Sequence, residues 1–312
     1  MQEKQTVIRT AQPDSRTSSS WKWRSWSNYV FILPGLLFMV TFMVFPIIYN
    51  IVLSFQNVTL LNLRGEHEFV GWQNYQTMFQ DPLFTVSFSN SAIFTSASIL
   101  FQFTIGFALA LFFNRKFPGR DFMRSIMLLG WMMPIIITAT LFKWMFAGDF
   151  GVINHLLQVI GIIDKPVFWL TEHHSSLAGT IMANIWIGIP FNMVILLSGL
   201  QSLPDHLYEA AKIDGASRFR QFTNITLPLM KPTIMVLLML GIIYTFKVFD
   251  LIYIMTGGGP VNSTTVFPLY AYRMAFTNYD LSMGATAASF MFFVLIALAS
   301  VYLWIVRKEE HQ

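Results

Sequence analysis

The chain has 312 residues and a net charge of +4; 54% of it is hydrophobic, only 12% is charged, and the mean hydropathy is +0.54. A water-soluble domain carries about a quarter charged residues, so this composition excludes a protein solvated by water alone. The lack of cysteine excludes disulfides and thiol chemistry.

Residues 1–28 are polar, contain a TSSS run, and are expected to form a cytoplasmic tail without fixed structure. Trp21, Trp23 and Trp26 stand just before the first apolar run and suit a membrane interface. That run is too long for a secretory leader and lacks a small-residue cleavage pattern. A search for stretches of about 20 apolar residues gives six, near 29–55, 90–113, 125–146, 177–200, 233–256 and 283–306. The third is the weakest, being interrupted by Gly130 and Pro134 and closed by Lys143. In hydrocarbon only helices and closed barrels satisfy the backbone, and runs this long fit helices. The expected fold is therefore an all-α integral membrane protein with about six spans, one domain over 29–306, and a tail at 307–312.

Basic residues orient the spans. Lys4, Arg9, Arg16, Lys22 and Arg24 lie in the tail, and Arg115, Lys116, Arg120 and Arg124 follow the second span. Lys212, Arg218, Arg220 and Lys231 follow the fourth, and Arg307 and Lys308 end the sixth. Arg64, Lys143, Lys165, Lys247 and Arg273 fall outside or near outer helix ends. The bias predicts both termini in the cytoplasm. It accounts for the positive charge without nucleic acid.

Between the fourth and fifth runs lies YEAAKIDGASRFRQFTNITLPLMKP, residues 208–232. Pro204 and Asp205 suit a first helical turn, Gly215 a stop, and Ser217 the cap of a second short helix. Ala210, Ala211 and Gly215 leave a face with little side chain beside Glu209 and Asp214, which reads as a docking elbow for another protein. The segment resembles the EAA loop of ABC-importer permeases: Glu209, Ala210, Ala211 and Gly215, then Ile225, Leu227 and Pro228. FPIIYNIVLSFQN (45–57), FVGWQNYQTMFQDPLF (69–84), GVINHLL (151–157), LYEAAKIDGAS (207–217) and TGGGPVNSTTVFPLYAYRMAF (256–276) are similar to the carbohydrate branch, typified by maltose-transporter permeases. The likeness covers residues 29–306, with its motifs in family order.

The resemblance implies that the loop at about 203–232 couples the chain to a cytoplasmic ATPase, through Glu209, Ala210, Ala211, Asp214 and Gly215. It implies a second homologous permease, two ATP-binding subunits, an extracytoplasmic solute-binding protein, a carbohydrate substrate and a bacterial inner-membrane location. The 69–84 stretch, expected to form an interfacial helix, would receive the binding protein together with the 147–176 and 257–282 loops. No G-x-x-x-x-G-K-[ST] phosphate loop is present, so ATP would be hydrolysed by partners, and no cofactor, catalytic residue or metal is expected here. Gly257, Gly258, Gly259 and Pro260 read as a tight turn that ends a helix. His173 and His174 lack ligand company and read as a solvated loop.

Polar groups at membrane depth mark a solute path. The candidates are Thr138 in the third span, Asn184, Gly188 and Phe191 in the fourth, and Tyr244 and Thr245 in the fifth. Tyr244 lies twelve residues beyond Pro232, about 18 Å along a helix and near mid-bilayer. Gly188 and Pro190 are expected to kink the fourth span. By resemblance, Asn184, Gly188, Phe191, Tyr244 and Thr245 align with sugar-lining positions of maltose-type permeases. Thr245 and Val248 replace amides there, which implies a different sugar or a site shared with the partner permease. The plainer reading of such residues is an interhelical hydrogen bond worth about 0.6 kcal/mol. Lys247 and Asp250, spaced i and i+3, are expected to pair. The alternative function is a stand-alone secondary carrier or channel for a small polar solute. Such carriers show paired broken helices and intramembrane carboxylates, for which Asp250 is the one candidate. A permease for amino acids, phosphate or a sugar-like solute lies closer.

Overall fold

The computed structural model describes residues 20–310, in two compact units that divide after Val52. The first unit holds α1 (Ser20–Met39), a π-helical turn (Val40–Val44) and all but the last residue of α2 (Phe45–Leu53). Helix thus begins at Ser20, inside the segment expected to be an unstructured tail; Trp21, Trp23 and Trp26 lie on it, but their side chains fall outside the described ones. Residues 1–19 of that expected tail lie outside the described residues.

The second unit opens with a small antiparallel pair, β1 (Gln56–Asn57) and β2 (Glu68–Phe69), then α3 (Gln73–Gln80) and α4 (Pro82–Asn114). Next come α5 (Arg120–Met132), α6 (Ile135–Met145), α7 (Val152–Val159), α8 (Ser176–Gln201), α9 (Asp205–Ile213) and α10 (Arg218–Gln221). A π-helical turn (Phe222–Thr226) leads into α11 (Leu227–Phe246), followed by α12 (Asp250–Met255), α13 (Phe267–Tyr272) and α14 (Leu281–Glu310). Among the described residues five helices are long and apolar enough to cross a membrane, or six if one bent pair counts as a span.

That bent pair is α5 and α6, which meet at 94°. The expected straight span over 125–146 is therefore corrected to a corner. Pro134 supplies no N–H and disfavours helical backbone at the residue before it; Met133 is accordingly extended, at φ −68° and ψ 136°. The fifth span is shifted against the expected 233–256: helix runs from Arg218 to Phe246 and stops before Lys247. Residues 250–255 form a separate helix rather than its outer end. In the fourth span α8 runs on through Gly188 and Pro190, with Pro190 inside the helix.

Three apolar cores hold the second unit. Phe94, Ala139, Phe142, Ile181, Leu251 and Ile252 join α4, α6, α8 and α12. Phe107, Met193, Leu196, Met230 and Leu237 join α4, α8 and α11. Tyr75, Met78, Phe267, Tyr270 and Met283 join α3, α13 and α14. In this third core Asp81 caps α4 by accepting from the Leu83 N–H at 2.9 Å, and its other oxygen accepts from the Tyr270 hydroxyl at 3.0 Å. Burial first, then the Asp81 carboxylate, push the Tyr270 hydroxyl above its ordinary range. Its neutral form is thus favoured on folding, and the contribution is intact below pH about 10 and lost as pH climbs through the raised value. Tyr270→Phe is expected to cost about 1.5–3 kcal/mol, the worth of a hydrogen bond to a charged group. It should lower the melting temperature at pH 7, with a smaller gap from wild type above pH about 10.

Candidate functional site

The elbow is α9, α10 and the turn between them. Pro204 stands at the N-cap rather than in the first turn, and Asp205 begins the helix. At the other end Gly215 takes φ +74°, while its N–H donates to Lys212 at 3.1 Å and the Ala216 N–H donates to Ala211 at 2.8 Å. This is the glycine-terminated closure that the sequence suggests. The Ser217 hydroxyl accepts from the Arg220 N–H at 3.3 Å and caps α10. A hydrogen bond of 2.9 Å between the Tyr208 and Thr226 hydroxyls ties the elbow to the foot of the fifth span. Glu209, Ala210, Asp214 and Gly215 are exposed and Ala211 is half-buried. The sequence reading missed Ile213 and Phe219, which are 87% and 77% exposed. Large apolar side chains on an otherwise polar elbow are a contact surface waiting for a partner. The signal was available, since both are the apolar residues of a polar stretch.

The second candidate lies inside the membrane. One face of α4 buries Ser87, Ser91, Thr95, Ser98 and Gln102, in steps of four or three residues that keep them in one row. The row faces α8. Gln102 donates from Nε2 to the Asn184 carbonyl at 2.8 Å, and Gly188 leaves the room its amide fills. Thr95 Oγ1, Ser98 Oγ and Asn184 Nδ2 are buried without a hydrogen-bond partner among the described residues. Each unmade bond of this kind costs about 1–3 kcal/mol, so the seam can bind water or a hydroxyl-bearing solute. Gln102 was missed in the sequence because it stands alone in an apolar run.

The other candidates are spread around this seam. Phe191 stacks on Trp131 with ring centres 5.7 Å apart. Thr138 is buried, its hydroxyl donating back to Pro134 at 3.3 Å, which is the plainer structural use. Thr245 is buried, whereas Tyr244 is 54% exposed. The expected Lys247–Asp250 ion pair is not formed. Lys247 instead lies over the Tyr244 ring, 4.7 Å from its centre, and Asp250 starts α12. The helix break between them removes the i, i+3 geometry. Lys143 donates to the Ile254 carbonyl at 3.1 Å, satisfying the end of α12.

A helix forms within the 69–84 stretch as α3, over residues 73–80. The glycine-rich turn is more ordered than its composition suggests. Gly257 and Gly258 take φ +60° and +91°. Arg273 donates to the Gly257 carbonyl and to Asn262 Oδ1, both at 2.6 Å. A side chain at Gly258 would meet Thr265 and Arg273. Arg273→Met is expected to free this loop, with amide exchange at Gly258–Thr265 at least tenfold faster and the spans unchanged. His173 and His174 meet edge to face at 5.4 Å, and no group of three metal-ligating residues occurs among the described residues.

Elbow, spans and outer loops in this order are matched over residues 102–310 by the family described as binding-protein-dependent transport system inner membrane component. The chain belongs to that family. It is a multi-pass membrane permease, a transport component and not an enzyme. A trehalose/maltose transport system permease of Thermococcus litoralis is 34% identical, over 94% of this chain and 98% of its own length. A sulfoquinovosyl glycerol permease of Agrobacterium fabrum is 32% identical over 93% and 95%. A crystal structure of a bacterial importer of the acidic polysaccharide alginate matches with a TM-score of 0.80 and 27% identity, covering 93% of this permease and 99% of that chain.

Proposed function

We propose that this permease forms half of the translocation path of an ATP-driven importer for a sugar, oligosaccharide or sugar-like solute. The observation that carries the reading is the elbow: a rigid pair of short helices, glycine-closed and pinned by Tyr208–Thr226, that presents Glu209, Ala210, Gly215, Ile213 and Phe219 outward. A second related permease completes the path, two ATP-binding subunits grip the elbows, and a solute-binding protein delivers substrate to the opposite face. Both termini and the elbow are cytoplasmic. Relatives named as permeases for trehalose/maltose, diacetylchitobiose and lactose support a carbohydrate, as does a solved alginate importer with a pentasaccharide-bound periplasmic protein. The buried row of hydroxyls and amides on α4 and α8 supplies the polar half of a sugar site, and Phe191 and Trp131 supply aromatic faces.

Rigidity is the reason an elbow suits the task. Closure of an ATPase pair is transmitted as a rigid-body push, which a packed helix carries and a loose loop absorbs. The test is reconstitution of the four-subunit assembly in liposomes with the binding protein. ATP hydrolysis and sugar uptake should both rise when sugar-loaded binding protein is added. Uptake by the lone chain in a proton or sodium gradient would instead make it a secondary carrier.

A further inference from the structure

A concavity lies away from the polar seam. Where α4 and α8 end, the elbow folds back and borders an open cleft of about 470 Å³ whose charged residues are exposed, within the roughly 300–1,000 Å³ span of small-molecule sites. Arg115, Lys212 and Arg218 line it against one carboxylate, Asp205. None of these four groups forms an ion pair among the described residues, where the ion pairs are those of Asp121 with Arg120 and Arg124. Its wall continues with the hydrogen-bonded Tyr208–Thr226 pair.

The plainer account of these cations is orientation, since basic residues hold a membrane chain to one side. Orientation needs only that they lie in the same loop region. It does not require residues from three places in the sequence, at the end of α4, on α9 and on α10, to line one cleft. A neutral sugar would gain little from three unpaired cations. A phosphoryl group, with several acceptor oxygens and one or two negative charges, uses guanidinium forks and an ammonium directly.

We propose that this cleft binds a phosphoryl group, carried by an anionic lipid headgroup or by a soluble phosphorylated molecule, through Arg115, Lys212 and Arg218. Because Arg115 extends from α4 and the other two from the elbow, an occupied site cross-links the elbow to the membrane helices. Under the function proposed above, occupancy therefore stiffens the lever and sets how strongly ATPase closure reaches the path. The site itself needs no assigned sidedness; orientation decides only which phosphates reach it.

The assembled transporter tests this in two arms. One compares nanodiscs of dioleoylphosphatidylcholine with and without dioleoylphosphatidylglycerol, reading retained lipid by native mass spectrometry. The other titrates glycerol 3-phosphate and inorganic phosphate into phosphatidylcholine discs, reading the thermal shift. Retention of phosphatidylglycerol alone identifies a lipid headgroup, and a saturable shift with the soluble phosphates identifies a free one. In either arm Arg115→Gln, Lys212→Gln and Arg218→Gln should each weaken binding about fivefold, the equivalent of about 1 kcal/mol per cation. Asp205→Asn should tighten it. Binding in neither arm, or affinities unchanged in the triple variant, overturns the proposal. Should the triple variant fail to assemble, an unchanged affinity in Asp205→Asn overturns it equally. Sugar uptake by the wild-type assembly is measured alongside, so loss of the phosphoryl site and loss of the importer reading give different results.

Discussion

Gly215→Val is expected to leave the permease folded in the membrane at wild-type levels while ATP-driven uptake falls about tenfold or more. Gly215 sits at φ +74°, and a Cβ built there meets nothing within 4 Å. No clash therefore threatens the fold. The left-handed backbone costs an L-residue about 1–2 kcal/mol, more for a β-branched one, and the turn relieves this by rotating. Rotation moves α9 relative to α10, so Glu209, Ala210 and Ile213 no longer present the same docking face. Losing about 1.4 kcal/mol of docking free energy is a tenfold loss of affinity. Gly215→Ala carries the same strain with less bulk and should be milder, and Glu209→Arg should also release the ATPase, by charge. Copurification of the ATP-binding subunit with each variant checks this; undiminished copurification and uptake would remove the elbow from coupling.

The second large effect is at the α4–α8 contact, where two glycines make opposite predictions. A Cβ on Gly106 would stand 2.6 Å from the Asn192 Cβ and 3.1 Å from the Met193 nitrogen. Those atoms belong to the neighbouring backbone and its first side-chain carbon, so the helices themselves must part. Gly106→Leu is expected to cost more than the usual 1–3 kcal/mol of overpacking, and little folded protein should survive detergent extraction. A Cβ on Gly188 meets only the end of the Gln102 side chain. That amide can swing away. Gly188→Ala should therefore fold, losing the 2.8 Å bond from Gln102 to Asn184 and about 1 kcal/mol. Its uptake should fall far more than its stability if the seam lies on the solute path. Equal losses of stability in the two variants would contradict this account of the packing.

Spans, elbow and family were legible in the sequence because their signals are local. A run of apolar residues fixes a helix in lipid, and Pro204, Gly215 and Ser217 carry their own backbone preferences. The glycine closure at Gly215 and the cap at Ser217 formed where expected, and Pro204 missed by one position. What the sequence hid were contacts between distant residues. Gln102 takes its meaning from Asn184 and Gly188, 82 and 86 positions away. Arg273 reads as an outer basic residue until the turn at 257–262 folds around it. Lys247 and Asp250 stay unpaired with each other for a related reason: helical spacing predicts a pair only while the helix lasts, and it ends at Phe246. Pro134 gave the right warning, but its 94° result depends on how α6 packs against α12.

That corner bears on the lipid as well. Helices of 13 and 11 residues are about 20 and 17 Å long; joined nearly at right angles, they reach about 25 Å from end to end. Fluid hydrocarbon in a typical bilayer is about 30 Å deep. Counted as one span, the corner falls several ångströms short of that depth, so lipid thins beside Met133 and Pro134 or a neighbouring surface covers the difference.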